Sequence, residues 1–384
     1  MISERSLLLH YLRFLSAVIV CLGHCKEFLF VHMDESASLL ERVSRLFLGL
    51  GSSAVLVFFF LSGYLVGGKE ISNLKDNKLD FKNYLFNRLT RLLIVLLPAL
   101  LATFAMNAIT CGNSRVSLYC LANSELASHS DVLPQSSQKI SDLIYNVLFL
   151  QPFMGTQWGG NVPLWSLSYE FWYYVIFFSI LNIFGEILYR KVTLKIVLHL
   201  LIISVASRFL DWDWLLLGII WLSGALTRQA LRLNIIVIKF QNFQKIFRYK
   251  FILITFFLVF PILIFLRILP KVMSFPVSIF LLILVISITS DEFASSMNKM
   301  VQKLIIVGSE FSFSLYLTHF PFIALTVSFI SPVERWKMSP IGIVVMFGLT
   351  FAAILMAYFF ASITEFKLAK CRSFLKIYVK DFFK

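Results

Sequence analysis

Arg13 and His24 lie 11 residues apart on one apolar run. At 3.6 residues per turn that is about three turns, so both side chains fall on one helix face about 16 Å apart along the axis. A guanidinium there can hold an anion, and an imidazole can act as a base or a nucleophile. Taken alone, Arg13 can also be a snorkelling anchor and His24 a residue bonded to a backbone carbonyl. Arg88 and Arg91 form an RxxR pair at the start of a later apolar run. Such forks grip phosphates bidentately or simply anchor a span at an inner headgroup layer.

Further on, Pro163-Leu164-Trp165-Ser166-Leu167-Ser168-Tyr169-Glu170 opens another apolar run, with Glu170 about two turns inside. A carboxylate at that depth needs a partner, and His24, Lys26 or a substrate hydroxyl could serve. Ser62 on Phe59-Phe60-Leu61-Ser62-Gly63-Tyr64, and Tyr316 and His319 on the run from Gly308, add hydroxyl and imidazole groups. Small and hydroxyl residues also serve plain helix packing in lipid.

What positions these residues follows from the composition. The 384 residues are 59% hydrophobic and only 15% charged, against about 25% charged in an ordinary soluble domain, and the mean hydropathy is +0.82. That excludes a water-soluble enzyme and a disordered chain. Runs of about 20 apolar residues recur, the length that crosses a hydrocarbon layer of about 30 Å. We expect an all-α, polytopic membrane helix bundle of about ten spans, near 10–32, 46–66, 92–110, 163–184, 196–210, 214–226, 251–269, 272–290, 304–330 and 341–361. The fifth and sixth, parted by Asp211-Trp212-Asp213-Trp214, read as a kinked or re-entrant pair, and the ninth is long enough to tilt or break. Residues 1–361 make the membrane domain and 362–384 a basic cytoplasmic tail.

The net charge of +14 is spread between the apolar runs, which argues for contact with lipid headgroups and against nucleic acid. With the N-terminus inside, the inner segments hold 24 Lys and Arg residues and the outer segments seven, so both termini are expected in the cytoplasm. The first run is interrupted by Arg13, His24 and Lys26 and reads as a retained helix, not a cleaved leader. The five cysteines match no metal-binding spacing, and no metal is expected. Cys111 and Cys120 fall on the outer segment 111–162, where either a disulfide or two thiols would suit.

Taken together, these segments resemble the bacterial acyltransferase family 3. Arg13 and His24 reproduce its R-x10-H signature, Phe59 to Leu65 is similar to its FF-x-SG-x-L segment, and Arg88 to Arg91 to its RxxR. Leu164 to Glu170 resembles LWSLS-x-E, and Leu315 to His319 resembles the late LYL-x-H. Two departures are a proline delayed to Pro98 and the apolar Phe171 and Trp172 after Glu170. Only 23 residues follow 361, too few for the esterase-like domain fused to some members, so a stand-alone membrane acyltransferase is expected.

The resemblance implies an acyl group, usually acetyl, moved from acetyl-CoA to a sugar hydroxyl of a surface polysaccharide, O-antigen or capsule, or of its lipid-linked precursor. His24 and Glu170 would be catalytic, with His24 either a general base or the acyl carrier. Arg13, Arg88 and Arg91 would bind the donor. Ser62, Trp165, Ser168, Tyr316 and His319 are substrate or oxyanion candidates. The expected location is the bacterial inner membrane. The competing expectation from another class is an ion- or proton-coupled transporter using Arg13, His24 and Glu170 as a path, although no matched half-repeats are visible.

Overall fold

The computed structural model describes residues 4–31, 51–112, 139–189, 194–207, 211–233, 298–330 and 335–378. Among them every extended element is helical: α1 (Glu4–Leu29), α2 (Gly51–Ser62), a π-helical turn (Gly63–Gly67), α3 (Gly68–Lys75), α4 (Phe81–Gly112), α5 (Ile140–Val147) and α6 (Gln151–Met154). These are followed by α7 (Leu164–Leu188), α8 (Leu194–Ser207), α9 (Trp212–Arg232), α10 (Lys299–Glu310), α11 (Ser312–Ile330), α12 (Pro340–Ile363), a 3-10 turn (Glu365–Lys367) and α13 (Leu368–Tyr378). Seven stretches among the described residues are long and apolar enough to cross a membrane. The chain is a multi-pass, all-α membrane protein.

Seven of the ten expected spans correspond to those stretches. The span expected at 196–210 is α8, only 14 residues long, and the spans expected at 251–269 and 272–290 lie outside the described residues. The sixth expected span is a full 21-residue helix. Asp211 starts it as an N-cap, accepting from the Trp214 N–H at 2.6 Å, so the polar Asp-Trp-Asp-Trp break is a helix start. The ninth breaks at Phe311 into α10 and α11, where the Ser312 hydroxyl donates to the Ser309 carbonyl at 2.8 Å. The third begins a full two turns before Arg88 and runs unbroken through Pro98.

The chain divides into two compact units. The first comprises Met1–Ser16, Ser52–Phe81 and Trp172–Val307. Its centre is the contact between α9 and the α2–π–α3 segment. Neither Gly63 nor Gly224 can carry a side chain: a Cβ on Gly63 would sit 1.7 Å from the Trp221 carbonyl oxygen, and one on Gly224 2.1 Å from that of Phe60. Two backbones therefore touch, as small residues allow in lipid. The π turn disturbs the regular ladder, and Arg228 compensates by donating to the carbonyls of Leu65 at 2.9 Å and Tyr64 at 3.3 Å. Gln229 donates to Ser72 Oγ at 2.9 Å and to the Gly68 carbonyl. We expect Gly63→Val to prise α9 from this turn. A detergent melting curve should show a large loss of stability or no folded protein, and a wild-type curve would contradict the close approach.

The second unit comprises Ala17–Gly51, Lys82–Phe171 and Gly308–Lys384. Within it α12 turns Ala353, Ala357 and Ala361, all 0% exposed, inward, while Phe351, Leu355 and Phe359 on its other faces are exposed. Spacing by four puts the alanines on one stripe, so α12 and α11 pack closely and the bulky side chains face lipid. Ser339 caps α12 by accepting from the Gly342 N–H at 3.1 Å, with Pro340 at its first position. Trp336 pairs with the end of α1: its N–H donates to the Leu29 carbonyl at 2.8 Å and its carbonyl accepts from Val31 at 3.0 Å. These bonds satisfy groups that a helix end leaves open and hold the segment before α12 against α1.

Candidate active site

The second unit brings together most of the residues that the sequence singles out. His24 Nδ1 lies 2.9 Å from Glu27 Oε2, one turn on along α1. A carboxylate only accepts, so Nδ1 donates and the other ring nitrogen, Nε2, keeps its lone pair. The His24 ring centre is 5.3 Å from that of His319 and 5.1 Å from that of Phe320, which meets it edge-on. The carboxylate bonded to His24 is thus Glu27, whereas the sequence had offered Glu170. Arg335, held beside α1 by the Trp336 pairing, feels the Glu27 charge; burial draws its guanidinium below the usual arginine range and Glu27 opposes that. Glu170 is half-buried on α7 and lies within electrostatic reach of Tyr316.

His319 is fully buried on α11. Its Nδ1 faces the Leu315 carbonyl at 2.8 Å, one turn back. Two residues later Pro321 interrupts the ladder. Lacking an N–H, it leaves the Leu317 carbonyl without its usual partner. Asn161 supplies one, donating from Nδ2 to Leu317 O at 2.8 Å and to Thr103 Oγ1 at 3.2 Å. The loop that delivers Asn161 turns through Gly159 and Gly160 at φ +59° and +67°, a left-handed conformation that favours glycine. A proline in one helix and a glycine turn in a loop thereby lock the backbone that carries His319.

Tyr316 and Ser166 meet at 2.6 Å between their hydroxyl oxygens, and Ser166 Oγ donates to the Pro163 carbonyl at 3.1 Å. Since the serine has one proton, the tyrosine is the donor in the pair. Tyr316, expected as an oxyanion candidate, has its proton directed at Ser166. Ser168 is buried beside it on α7. Trp165 is half-buried and meets Tyr169 edge-on at 5.3 Å. Trp158 is buried, stacks on Phe104 and donates its indole N–H to the Leu100 carbonyl at 3.2 Å, so it packs within the unit.

Arg88 and Arg91 sit on α4. Arg91 Nη2 donates to Glu365 Oε1 at 2.9 Å, and Glu365 Oε2 accepts from the Ser314 N–H at 3.0 Å and its Oγ at 2.9 Å. Ser314 lies in the first turn of α11, where N–H groups lack helical partners and the dipole favours an anion. Arg372 on α13 bonds Thr90 Oγ1 at 3.0 Å and the Asn87 carbonyl at 3.2 Å, within the electrostatic reach of both Arg88 and Arg91. The segment expected as a tail is therefore tied to α4 and α11. Arg88 also lies over the Tyr84 ring at 5.8 Å.

Two expected site residues belong to the first unit. Arg13 is half-buried on the first part of α1. Ser62 is buried, bonds Tyr174 OH at 3.0 Å and accepts from the Trp221 indole at 3.1 Å, a helix-packing role within that unit. Sequence reasoning missed Glu27, Ser166, Glu365 and Arg372. The i, i+3 spacing of His24 and Glu27 could have found the first, and Ser166 lies inside the Leu164–Glu170 motif; nothing local marks Glu365 or Arg372.

A family model described as an acyltransferase domain, of the acyltransferase 3 family, matches residues 7–360. No curated protein and no solved structure matches the chain. The match spans α1 to α12, the helices that carry the imidazoles, the arginine pair and the Ser166–Tyr316 contact, and the chain accordingly belongs to the acyltransferase 3 family as a membrane acyltransferase.

Proposed function

We propose that the protein is a membrane O-acyltransferase that moves an acyl group, acetyl in the usual case, from acyl-coenzyme A to a sugar hydroxyl of a cell-surface polysaccharide or its lipid-linked precursor. The observation that carries this reading is the His24–Glu27 pair beside His319 and Phe320: an oriented imidazole whose Nε2 keeps its lone pair. Acyl transfer needs a group that can take a proton or the acyl itself, and Glu27 stabilises the imidazolium that either role creates.

The donor is recognised through its phosphates. Arg88, Arg91 and Arg372 supply cationic charge on neighbouring turns of α4 and on α13. Ser168 supports the developing oxyanion, while Tyr316, whose proton goes to Ser166, holds that serine in place and feels the Glu170 charge. Half-buried Trp165 offers a ring to the sugar. The cytoplasmic membrane of a bacterium with both termini inside fits the 24 to seven division of basic residues.

Intact-glycan mass spectrometry of a strain lacking the protein should show loss of acyl groups from one surface glycan, restored by the wild-type gene. The purified protein should also release CoA from acetyl-CoA when given that de-acylated glycan. Unchanged glycans in the deletion strain, with purified protein that carries a solute gradient without consuming acetyl-CoA, would overturn the reading in favour of transport.

A further inference from the structure

The two ring nitrogens of His319 have different surroundings. Nδ1 donates to the Leu315 carbonyl, which accepts only, so Nε2 of the neutral ring holds a lone pair. Nε2 is buried with no hydrogen-bond partner among the described residues, on a side chain that is 0% exposed. Buried polar atoms are satisfied in most folds, and one that is not asks for a ligand or a chemical role. It cannot donate to an oxyanion, which removes that role from the neutral ring. Its ring stands 5.3 Å from the ring of His24, whose own Nδ1 is held by Glu27.

One imidazole can serve as a base, and one can serve as a nucleophile, but the same ring cannot do both in consecutive steps. Once His24 Nε2 carries an acyl group, its Nδ1 is still held by Glu27 and the ring has no lone pair to take a proton. We propose that transfer runs through an acyl-His24 intermediate and that His319 Nε2 is the base of the second step. This rests on the acyl-coenzyme A reading given above.

In the first step the lone pair of His24 Nε2 attacks the thioester carbonyl carbon, a C–N bond forms, the C–S bond breaks and coenzyme A leaves as its thiolate. The resulting acyl-imidazolium keeps its Nδ1–H on Glu27. In the second step the acceptor oxygen attacks the acyl carbon while its proton passes to His319 Nε2. The new C–O bond forms, the C–N bond breaks, and its electron pair returns to His24 Nε2. His319 then gives its proton to the thiolate, directly or through water, so the sum is acyl-CoA plus alcohol to ester plus CoA thiol.

His319→Asn separates the roles, because the Asn amide can still donate to the Leu315 carbonyl and lacks the second nitrogen. The full-length protein in nanodiscs is mixed rapidly with labelled acetyl-CoA, first without acceptor and then with the de-acylated glycan. Wild type and His319→Asn should both release close to one equivalent of CoA and retain hydroxylamine-labile label on the protein. On addition of glycan the wild type discharges, and His319→Asn discharges at least 10²-fold more slowly. Added imidazole, a diffusible base, should restore part of that rate, which a purely structural role would not predict. His319→Gln is the second variant if Asn unfolds the protein.

Discharge by both variants within threefold of wild type overturns the proposal, as does a wild type that transfers without ever carrying label, or folded variants that fail to become labelled. A wild type that releases no CoA even with glycan present overturns the donor reading itself.

Discussion

His24→Ala should fold, insert and transfer no acyl group at a measurable multiple of background. Removing an acid–base group alone lowers a rate by about 10² to 10⁴, or roughly 2.7 to 5.4 kcal/mol of barrier, and removing the acyl carrier lowers it further. The side chain is 21% exposed and, among the described residues, its hydrogen bond goes to Glu27, itself 34% exposed, so the fold loses little. Glu27→Gln should fall between wild type and His24→Ala. A neutral amide can still meet Nδ1, but it can also present its NH2 and turn the imidazole into the wrong tautomer; the analogous change in a serine-protease triad lowers kcat by about 10⁴. Arg13→Lys, which keeps charge and loses the planar fork, should raise the donor KM with little change in kcat. Initial rates with labelled acetyl-CoA, at matched abundance and matched melting temperature, decide all three. Near wild-type transfer by folded His24→Ala would remove the imidazole from the mechanism.

That His24 stood out in the sequence reflects a strong physical signal. An ionisable group in an apolar run is costly, so each one is visible against its background, and a shared helix face follows from spacing alone. Glu27 carried the same kind of signal one turn away and was not singled out. Contacts between distant segments have no such periodic trace. Tyr316 finds Ser166 150 residues away, Asn161 finds the Leu317 carbonyl 156 residues away, and Arg91 finds Glu365 274 residues away. Each can be rationalised afterwards from a local defect that needed repair: a missing N–H at Pro321, open amides in the first turn of α11, a guanidinium set inside a helix. The sequence shows that such a defect needs a partner without showing which residue comes. Span length was misjudged for the same reason at Asp211, where polarity that looked like a break caps a complete helix.

The ion pair of Arg91 and Glu365 leads to the second large effect, on stability first and donor use second. Glu365 is 2% exposed and Arg91 28%. Deleting Arg91 leaves a buried carboxylate with only the Ser314 N–H and hydroxyl for company, and breaking such a pair costs about 3 to 5 kcal/mol. Arg91→Ala should therefore melt well below wild type, whatever its part in phosphate binding. Arg88→Ala, which leaves Glu365 in place, should melt nearer to wild type while raising the donor KM. The double exchange Arg91→Met with Glu365→Leu removes both charges, and apolar replacement of a buried pair is often neutral or stabilising, so much of the lost melting temperature should return. If Arg91 also contacts donor phosphates, the recovered double variant will still show a raised acyl-coenzyme A KM with kcat largely kept at saturation. Recovery of both stability and KM would confine Arg91 to clamping α4 against the first turn of α11. A double variant as unstable as Arg91→Ala would instead show that the Glu365 carboxylate is needed for the Ser314 amide, where a helix start without an acceptor is destabilising in its own right.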